Sequence, residues 1–373
     1  VLFSYKICQV GLEQIIKNTI IQNTSPIGFD EFMNLALYYP TLGYYRSGLE
    51  KFSENGDFIT APETSDLFGF CLAKQCAQVL NGTNDILEFG SGSGILATQI
   101  LLELGRLQRL PQKYYILELS GELKHRQAET IGKVLPELID RIVWLDELPS
   151  DFSGVIIANE VLDAMPAKRV IYKNKQFYEL GVDYHENEFF WKKFDFPYQN
   201  NKILLPNNVI EDYKTEINLY AIAWINSLYN ATNKALVLLI DYGMSRDEYF
   251  HPQRLDGTLR CYYQHKASEN PFVNIGKQDI TTSVNFSDIA DQASISGFKV
   301  RGYATQALFL ISLGISDYLL KQKDKNECMN LAQQIKQLVL PSVMGESFKV
   351  LALSKKLSIK LIGFVEQDLS GKL

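Results

Sequence analysis

The chain is poor in the residues that disulfide frameworks and metal centres require. Its 373 residues include five cysteines, Cys8, Cys71, Cys76, Cys261 and Cys328, an odd and scattered set without a Cys-x-x-Cys pair. Such a set reads as reduced thiols, not as a stapled scaffold. The four histidines, His125, His185, His251 and His265, fall at no metal-ligand spacing, and no metal site is expected. Long apolar runs are missing too, so no membrane span is expected. The start, Val1-Leu2-Phe3-Ser4-Tyr5-Lys6, has neither a signal-peptide core nor an arginine-rich transit pattern, and because it lacks methionine, processing ahead of it stays open. Positive charge is not in excess. A net charge of −6 argues against nucleic acid as the main partner, since tracking phosphates needs a basic surface, and leaves room only for a local basic groove. What is plentiful is aromatic surface, with 20 Tyr and 21 Phe, which suits wide clefts as well as core filling. The length allows a large core in one enlarged domain or in two.

The most informative segment is Asp85-Ile86-Leu87-Glu88-Phe89-Gly90-Ser91-Gly92-Ser93-Gly94. Its apolar run predicts a buried strand over 85–89, and Ile95 to Leu102 carry apolar residues at helical spacing. The glycines between them suit a turn with positive φ and close approach of a ligand to the backbone, although many plain strand-to-helix turns contain such a triad. Gly-x-Gly-x-Gly differs from the dinucleotide fingerprint, which leaves two residues before its third glycine so that a helix can face a pyrophosphate. Glu88 beside the turn would repel a pyrophosphate but could neutralise the ammonium of a methionine moiety. A second strand, 114–119, ends in Glu118, an acceptor suited to two ribose hydroxyls or simply a solvated charge. Together these features favour S-adenosylmethionine over NAD.

Downstream, strands at 141–145, 154–158 and 235–241 alternate with helices at 95–108 and 121–134, which predicts an α/β fold with a parallel sheet. Helices are also expected over 10–22, 28–38, 65–80 and 286–296. The expected boundaries are 1–84 for an N-terminal helical region with a cofactor-covering loop, 85–168 for the first part of the core, 169–234 for an inserted α+β subdomain, and 235–373 for the rest. Within the insertion, hairpin strands are expected at Arg169–Tyr172, Gln176–Leu180 and Glu188–Trp191, and a helix at Thr215–Leu228. A strand at 298–303, a long helical stretch over 305–338 and a strand at 347–354 fit a seven-stranded sheet whose last strand is antiparallel.

Ligands of open α/β sheets lie outside the carboxyl ends of the strands. Asn159 and Glu160 follow the last buried residue of the fourth strand, and Asp241 ends the fifth. A carboxylate there could hold a guanidinium by paired hydrogen bonds, orient its nitrogen and accept the released proton. Glu160 is the first candidate for that role, with an acid complementing a helix dipole as the plainer explanation. Asp163 and Asp241 are weaker candidates.

These blocks in order resemble the MidA family of S-adenosylmethionine-dependent methyltransferases. The resemblance runs over nearly the whole chain and is carried by Phe32-Met33-x-x-Ala36-Leu37-Tyr38-x-Pro40-x-x-Gly43-Tyr44-Tyr45, Gly56-Asp57-Phe58-Ile59-Thr60-Ala61-Pro62-Glu63 and Glu88-x-Gly90-x-Gly92-x-Gly94. Glu118-x-Ser120, Ala158-Asn159-Glu160-x-x-Asp163-Ala164-x-Pro166, Gly257-Thr258-Leu259-Arg260, Asp279-Ile280-Thr281 and Phe348-Lys349-Val350-Leu351 add to it. It implies a class I methyltransferase fold with a Rossmann-like sheet. It also implies that Glu88, Gly90, Gly92, Gly94 and Glu118 bind the cofactor and that Asp57, Thr60 and Pro62 line its pocket. Position at the strand ends adds Asn159 to the cofactor site and makes Glu160, Asn159 and Asp163 the catalytic candidates. For mitochondrial members it implies symmetric dimethylation of an arginine in a core subunit of respiratory complex I, hence a protein substrate. The setting implied is the cytoplasm of a bacterium or a mitochondrial matrix. Members often carry a basic residue between the second and third glycines, where this chain has Ser93. Two other functions fit the same residues less fully: a cofactor-binding assembly factor without catalysis, and an NAD oxidoreductase, which the glycine spacing disfavours.

Overall fold

The computed structural model describes residues 11–23, 26–47, 60–196 and 209–373. It divides the chain into two compact units, one formed by 1–50, 165–219 and 252–282, the other by 51–164, 220–251 and 283–373. The expected boundaries differ from this division. Segment 51–84 goes with the sheet that follows it, whereas 252–282 joins the N-terminal helices and the insertion.

The second unit is built on a twisted sheet whose through-going strands are β1 (Asp85–Phe89), β2 (Tyr114–Leu117), β3 (Ile142–Leu145), β4 (Phe152–Asn159), β5 (Thr232–Met244), β6 (Lys299–Thr305) and β7 (Phe348–Lys355). Their order across the sheet is β6-β7-β5-β4-β1-β2-β3, and a two-residue strand, Val284–Asn285, pairs alongside β5 as an eighth member. Only β7 runs against its neighbours, antiparallel to both β5 and β6. The continuous run Ala235–Ile240, fully buried, is what a strand covered on both faces requires. Helices Asp66–Ala77, Ile95–Arg106 and Gly121–Val134 supply part of the cover. Leu96, Ile100 and Leu104 of the second helix meet Leu72 and Cys76 of the first and Ile86 and Tyr114 of the sheet in one apolar cluster.

Sheet register decides what stands at the carboxyl edge. Phe89 is paired with Leu117 on one side and Ala158 on the other, and Asn159 with Ile240. The next residues along, Gly90, Glu118, Asn159, Glu160 and Asp241, therefore emerge side by side where the strand order reverses, the place that open α/β sheets use for ligands.

The first unit holds helices Leu12–Asn23 and Phe29–Tyr38 together with a four-stranded antiparallel sheet in the order Glu188–Asp195, Gln176–His185, Lys168–Lys173, Lys214–Ile217. A three-stranded sheet formed by Lys266–Ser268, Arg260–Tyr263 and Asp279–Thr281 completes it. Phe29, Phe32, Met33, Leu37, Val182 and Ile280 share its core. Ile27 exchanges backbone hydrogen bonds of 3.1 and 2.8 Å with Val182, fastening the N-terminal helices to the inserted sheet.

Two expectations are corrected. Residues 214–217 form a strand, with the helix starting only at Leu219, because Thr215 and Ile217 are buried against the sheet they join. The stretch 305–338 is three helices, Gln306–Ser312, Asp317–Lys321 and Lys325–Val339, broken first at Gly314, whose φ of +74° ends a right-handed helix. The three-stranded sheet within 260–281 was not foreseen. Among the described residues no helix is long and apolar enough to cross a membrane.

Candidate cofactor and acceptor site

The turn after β1 takes the conformation its glycines allow. Gly90, Gly92 and Gly94 have φ of +59°, +53° and +87°, the left-handed region in which a side chain costs about 1–2 kcal/mol per residue. A methyl group on Gly94 would lie 3.0 Å from the Gln127 Cα, so this glycine is also required by packing. Gly90 N–H donates to the Leu117 carbonyl at 3.2 Å, which ties the start of the turn to β2.

Glu88 lies inside the sheet's cover and is only 2% exposed. Its Oε2 accepts the Tyr114 hydroxyl at 2.6 Å. Burial pushes its carboxyl up to about 7, against the pull of the Tyr114 and Ser91 hydroxyls. The acid expected to face a ligand's ammonium is therefore buried within β1 and bonded to Tyr114. Glu118, at the end of β2, accepts Ser120 N–H on Oε1 at 2.8 Å and the Gln127 amide on Oε2 at 3.2 Å. Burial raises its carboxyl above the usual range, and the donors around it oppose that rise. With Leu119 N–H as a third donor, the carboxylate still keeps acceptor capacity.

The carboxyl end of β4 is organised differently. Glu160 has φ +53°, an uncommon state for a residue with a side chain, and its N–H donates to the Ile240 carbonyl at 2.8 Å. The Asn159 amide donates to Glu160 Oε1 at 3.1 Å, and Asn159 Oδ1 is buried without a partner among the described residues. Behind them, Asp241 is wholly buried, with Oδ2 accepting Leu162 and Asp163 N–H at 2.9 and 3.2 Å and Oδ1 accepting Tyr242 N–H at 2.9 Å. Burial, then the nearby charges of Asp163 and Glu160, drive the Asp241 carboxyl well above its ordinary range. Asp163 is pushed up to about 6 by burial, with the Tyr242 hydroxyl pulling the other way. Asp163 is 5% exposed, so of the three acids Glu160 alone is half-buried.

Of the covering residues expected from motif resemblance, Asp57 lies outside the described residues. Thr60 precedes the short helix Ala61–Thr64, which holds Pro62. Gln99 donates to the Pro62 carbonyl at 2.8 Å and to Asp66 at 3.0 Å, and the Ser93 hydroxyl donates to Glu63 at 2.6 Å. Thr60 and Pro62 are thus fastened near the glycine turn through Gln99 and Ser93. Sequence reasoning missed Tyr114, Gln99 and Gln127. Gln127 left one signal, since it stands four residues after Leu123 and four before Ile131, a position on the apolar face of its helix.

These residues fit a nucleoside cofactor that carries no pyrophosphate. The turn leaves backbone accessible at Gly90 and Gly92, Glu118 keeps acceptor capacity, and the unpartnered Asn159 Oδ1 can receive a donor. The sequence model of the family described as "Putative S-adenosyl-L-methionine-dependent methyltransferase" matches residues 71–304. The chain belongs to this family. A crystal structure from Burkholderia thailandensis, a "likely methyl transferase" bound to S-adenosyl-homocysteine, is 36% identical and superposes with a TM-score of 0.92 over 97% of this chain and 96% of that one. Curated relatives are more distant. The mitochondrial protein arginine methyltransferase NDUFAF7 of Danio rerio is 26% identical, covering 87% of this chain and 83% of its own, and that of Homo sapiens is 26% identical, covering 89% and 81%. The fold is the class I methyltransferase fold and the cofactor of this methyltransferase is S-adenosylmethionine, which when bound supplies an activated methyl group on a sulfonium.

Proposed function

We propose that this methyltransferase acts on an arginine side chain of a protein partner and that Glu160 receives the guanidinium. The observation that carries the reading is a half-buried carboxylate set on a left-handed backbone at the carboxyl end of β4, one strand away from the glycine turn. A guanidinium is a planar fork of donors, and a carboxylate matches it with paired, charge-assisted hydrogen bonds. The Asn159 amide on Oε1 fixes the plane of the Glu160 carboxylate. Positioning of this kind supplies much of the catalysis in a displacement that needs alignment and exclusion of water. Glu160 can then take the proton that the nitrogen releases. On this reading Asn159 lies between cofactor and acceptor, and the buried acids Asp163 and Asp241 shape the loop.

The names of the curated relatives, protein arginine methyltransferases, support an arginine acceptor. By motif resemblance the acceptor is a core subunit of respiratory complex I, in a bacterial cytoplasm or a mitochondrial matrix. Cofactor binding is assigned to Glu88, Gly90, Gly92, Gly94, Glu118 and Asn159, with Asp57, Thr60 and Pro62 lining the pocket. The test is mass spectrometry of arginine methylation in cells with and without the protein, paired with transfer of label from S-adenosylmethionine to lysate proteins. A methylated arginine that disappears with the protein supports the proposal. Tight cofactor binding with no labelled protein would replace it with a scaffold function.

A further inference from the structure

The helix Gly121–Val134 buries only two side chains, Ile131 and, unexpectedly, the polar Gln127, which is 0% exposed. A buried amide must have its donors and acceptor met, and this one has both. Trp144 Nε1 donates to Gln127 Oε1 at 2.9 Å. An indole nitrogen can only donate, so this contact settles which end of the amide is oxygen. The Nε2 end then donates to the Gly92 carbonyl at 3.1 Å and to Glu118 Oε2 at 3.2 Å. One side chain thereby joins β3, the middle of the glycine turn and the acid at the end of β2.

We propose that Gln127 is a positioning residue for the cofactor, holding Glu118 and the carbonyl of Gly92 in the one arrangement that receives the ribose. The inference rests on the cofactor placement given above. Ser120 N–H already holds Glu118 Oε1, so the amide on Oε2 removes the last rotational freedom of the carboxylate. The acceptor capacity left on the carboxylate is then held in one orientation for the ribose hydroxyls. The Gly92 carbonyl, turned inward to Gln127, leaves the opposite face of that peptide toward the ligand. Close packing of Gly94 on the Gln127 backbone keeps the turn from relaxing if the hydrogen bonds weaken. Nothing in this arrangement touches the transferred methyl or the acceptor. Gln127 therefore acts only through Glu118 and the turn.

The test is calorimetry with S-adenosylhomocysteine and with its 2′,3′-dideoxyribosyl analogue, on the full chain and on Gln127→Met, which keeps length and removes the amide. The expected result is about ten- to hundred-fold weaker binding of S-adenosylhomocysteine, the cost of leaving a buried carboxylate oxygen and a buried carbonyl without their donor. The dideoxy analogue should lose less than threefold, because it makes no use of the oriented acid. A purely structural role would weaken both ligands alike, and that outcome overturns the proposal, as does a folded Gln127→Met with unchanged affinity. Should Gln127→Met fail to fold, Trp144→Phe removes the donor that orients the amide at the cost of some packing against the core. It should weaken S-adenosylhomocysteine several-fold and the analogue much less; equal losses would again overturn the inference. If the unaltered protein binds neither ligand, the cofactor placement falls and the role of Gln127 falls with it.

Discussion

The two halves of the carboxyl edge are built on opposite principles. Around the glycine turn, the carboxylates are held by donors, Glu88 by Tyr114 and Glu118 by Ser120 and Gln127, and positive φ is confined to glycines, although Ser91 Oγ and Gln99 Oε1 are buried without a partner among the described residues. Around the end of β4, one strand over, a glutamate takes the left-handed backbone, two acids sit buried behind it, and an amide oxygen has no partner among the described residues. Satisfied networks rigidify a surface, whereas strain and crowded charge persist only where the surroundings impose them, and they cluster where chemistry happens. On the proposed reading, the first half binds the cofactor and the second carries the reaction.

The largest expected effect breaks the binding half. Gly92→Val puts a β-branched side chain at φ +53° in the middle of the turn, a true backbone outlier, and fills the space above the peptide. Affinity for S-adenosylhomocysteine should fall by about a hundred-fold or more. Normal binding by this variant in calorimetry would show that the ligand lies elsewhere. Glu160→Gln addresses the other half. It keeps size and one acceptor but loses the charge that pairs with a guanidinium, so methyl transfer should slow by roughly a hundred-fold while S-adenosylhomocysteine affinity stays within about twofold. An unaltered rate in single-turnover assays removes Glu160 from the mechanism.

How far this contrast could be read from sequence depended on how local its causes are. The binding half was legible because an apolar run, three glycines and a following amphipathic helix lie within about twenty residues, and each carries its own periodic or turn signal. Central strands β1 to β7 were legible for the same reason. The left-handed backbone of Glu160 was not, since a non-glycine residue accepts that state only under constraints from β5, far along the chain. Asp241 reads as a mere strand-end acid until Leu162 and Asp163 are seen donating to it. The first unit was hardest. Its three pieces meet through pairings such as Ile27 with Val182 and the Tyr45 hydroxyl on Asp279, contacts spanning more than 150 residues that no window along the sequence contains. Gln127 had only a weak signal, a polar residue where the helix pattern calls for an apolar one.

A smaller effect separates geometry from charge behind Glu160. Asp241 accepts three backbone N–H groups that would be buried and unmet without it. Asp241→Ala should therefore destabilise the protein by about 3 kcal/mol in denaturant titration, the range for orphaned buried donors. Asp241→Asn keeps an acceptor oxygen and lowers the crowding of negative charge against Asp163 and Glu160, so its loss should be less than half as large. Equal losses from the two substitutions would mean that the carboxylate charge, not its shape, holds the loop.

The smallest effect sharpens the binding half through pH. Burial lifts Glu88 from its ordinary value of 4.5 to about 7 in the folded chain, so between those values the native state holds a proton that the unfolded chain releases. Stability from this group is therefore full below pH 4.5 and is lost as pH rises through 7. Glu88→Gln cannot ionise and still offers the Tyr114 hydroxyl an oxygen, so it escapes that loss. Measured at pH 5 and again at pH 8, the variant should gain on the parent chain by on the order of 2 kcal/mol across the interval. Its affinity for S-adenosylhomocysteine should fall severalfold at pH 8, where the parent's ionised carboxylate, buried within β1, attracts the ligand's ammonium. If the two chains keep parallel stability curves over that interval, Glu88 is already ionised in the folded protein and the network around the turn is less dry than its contacts imply.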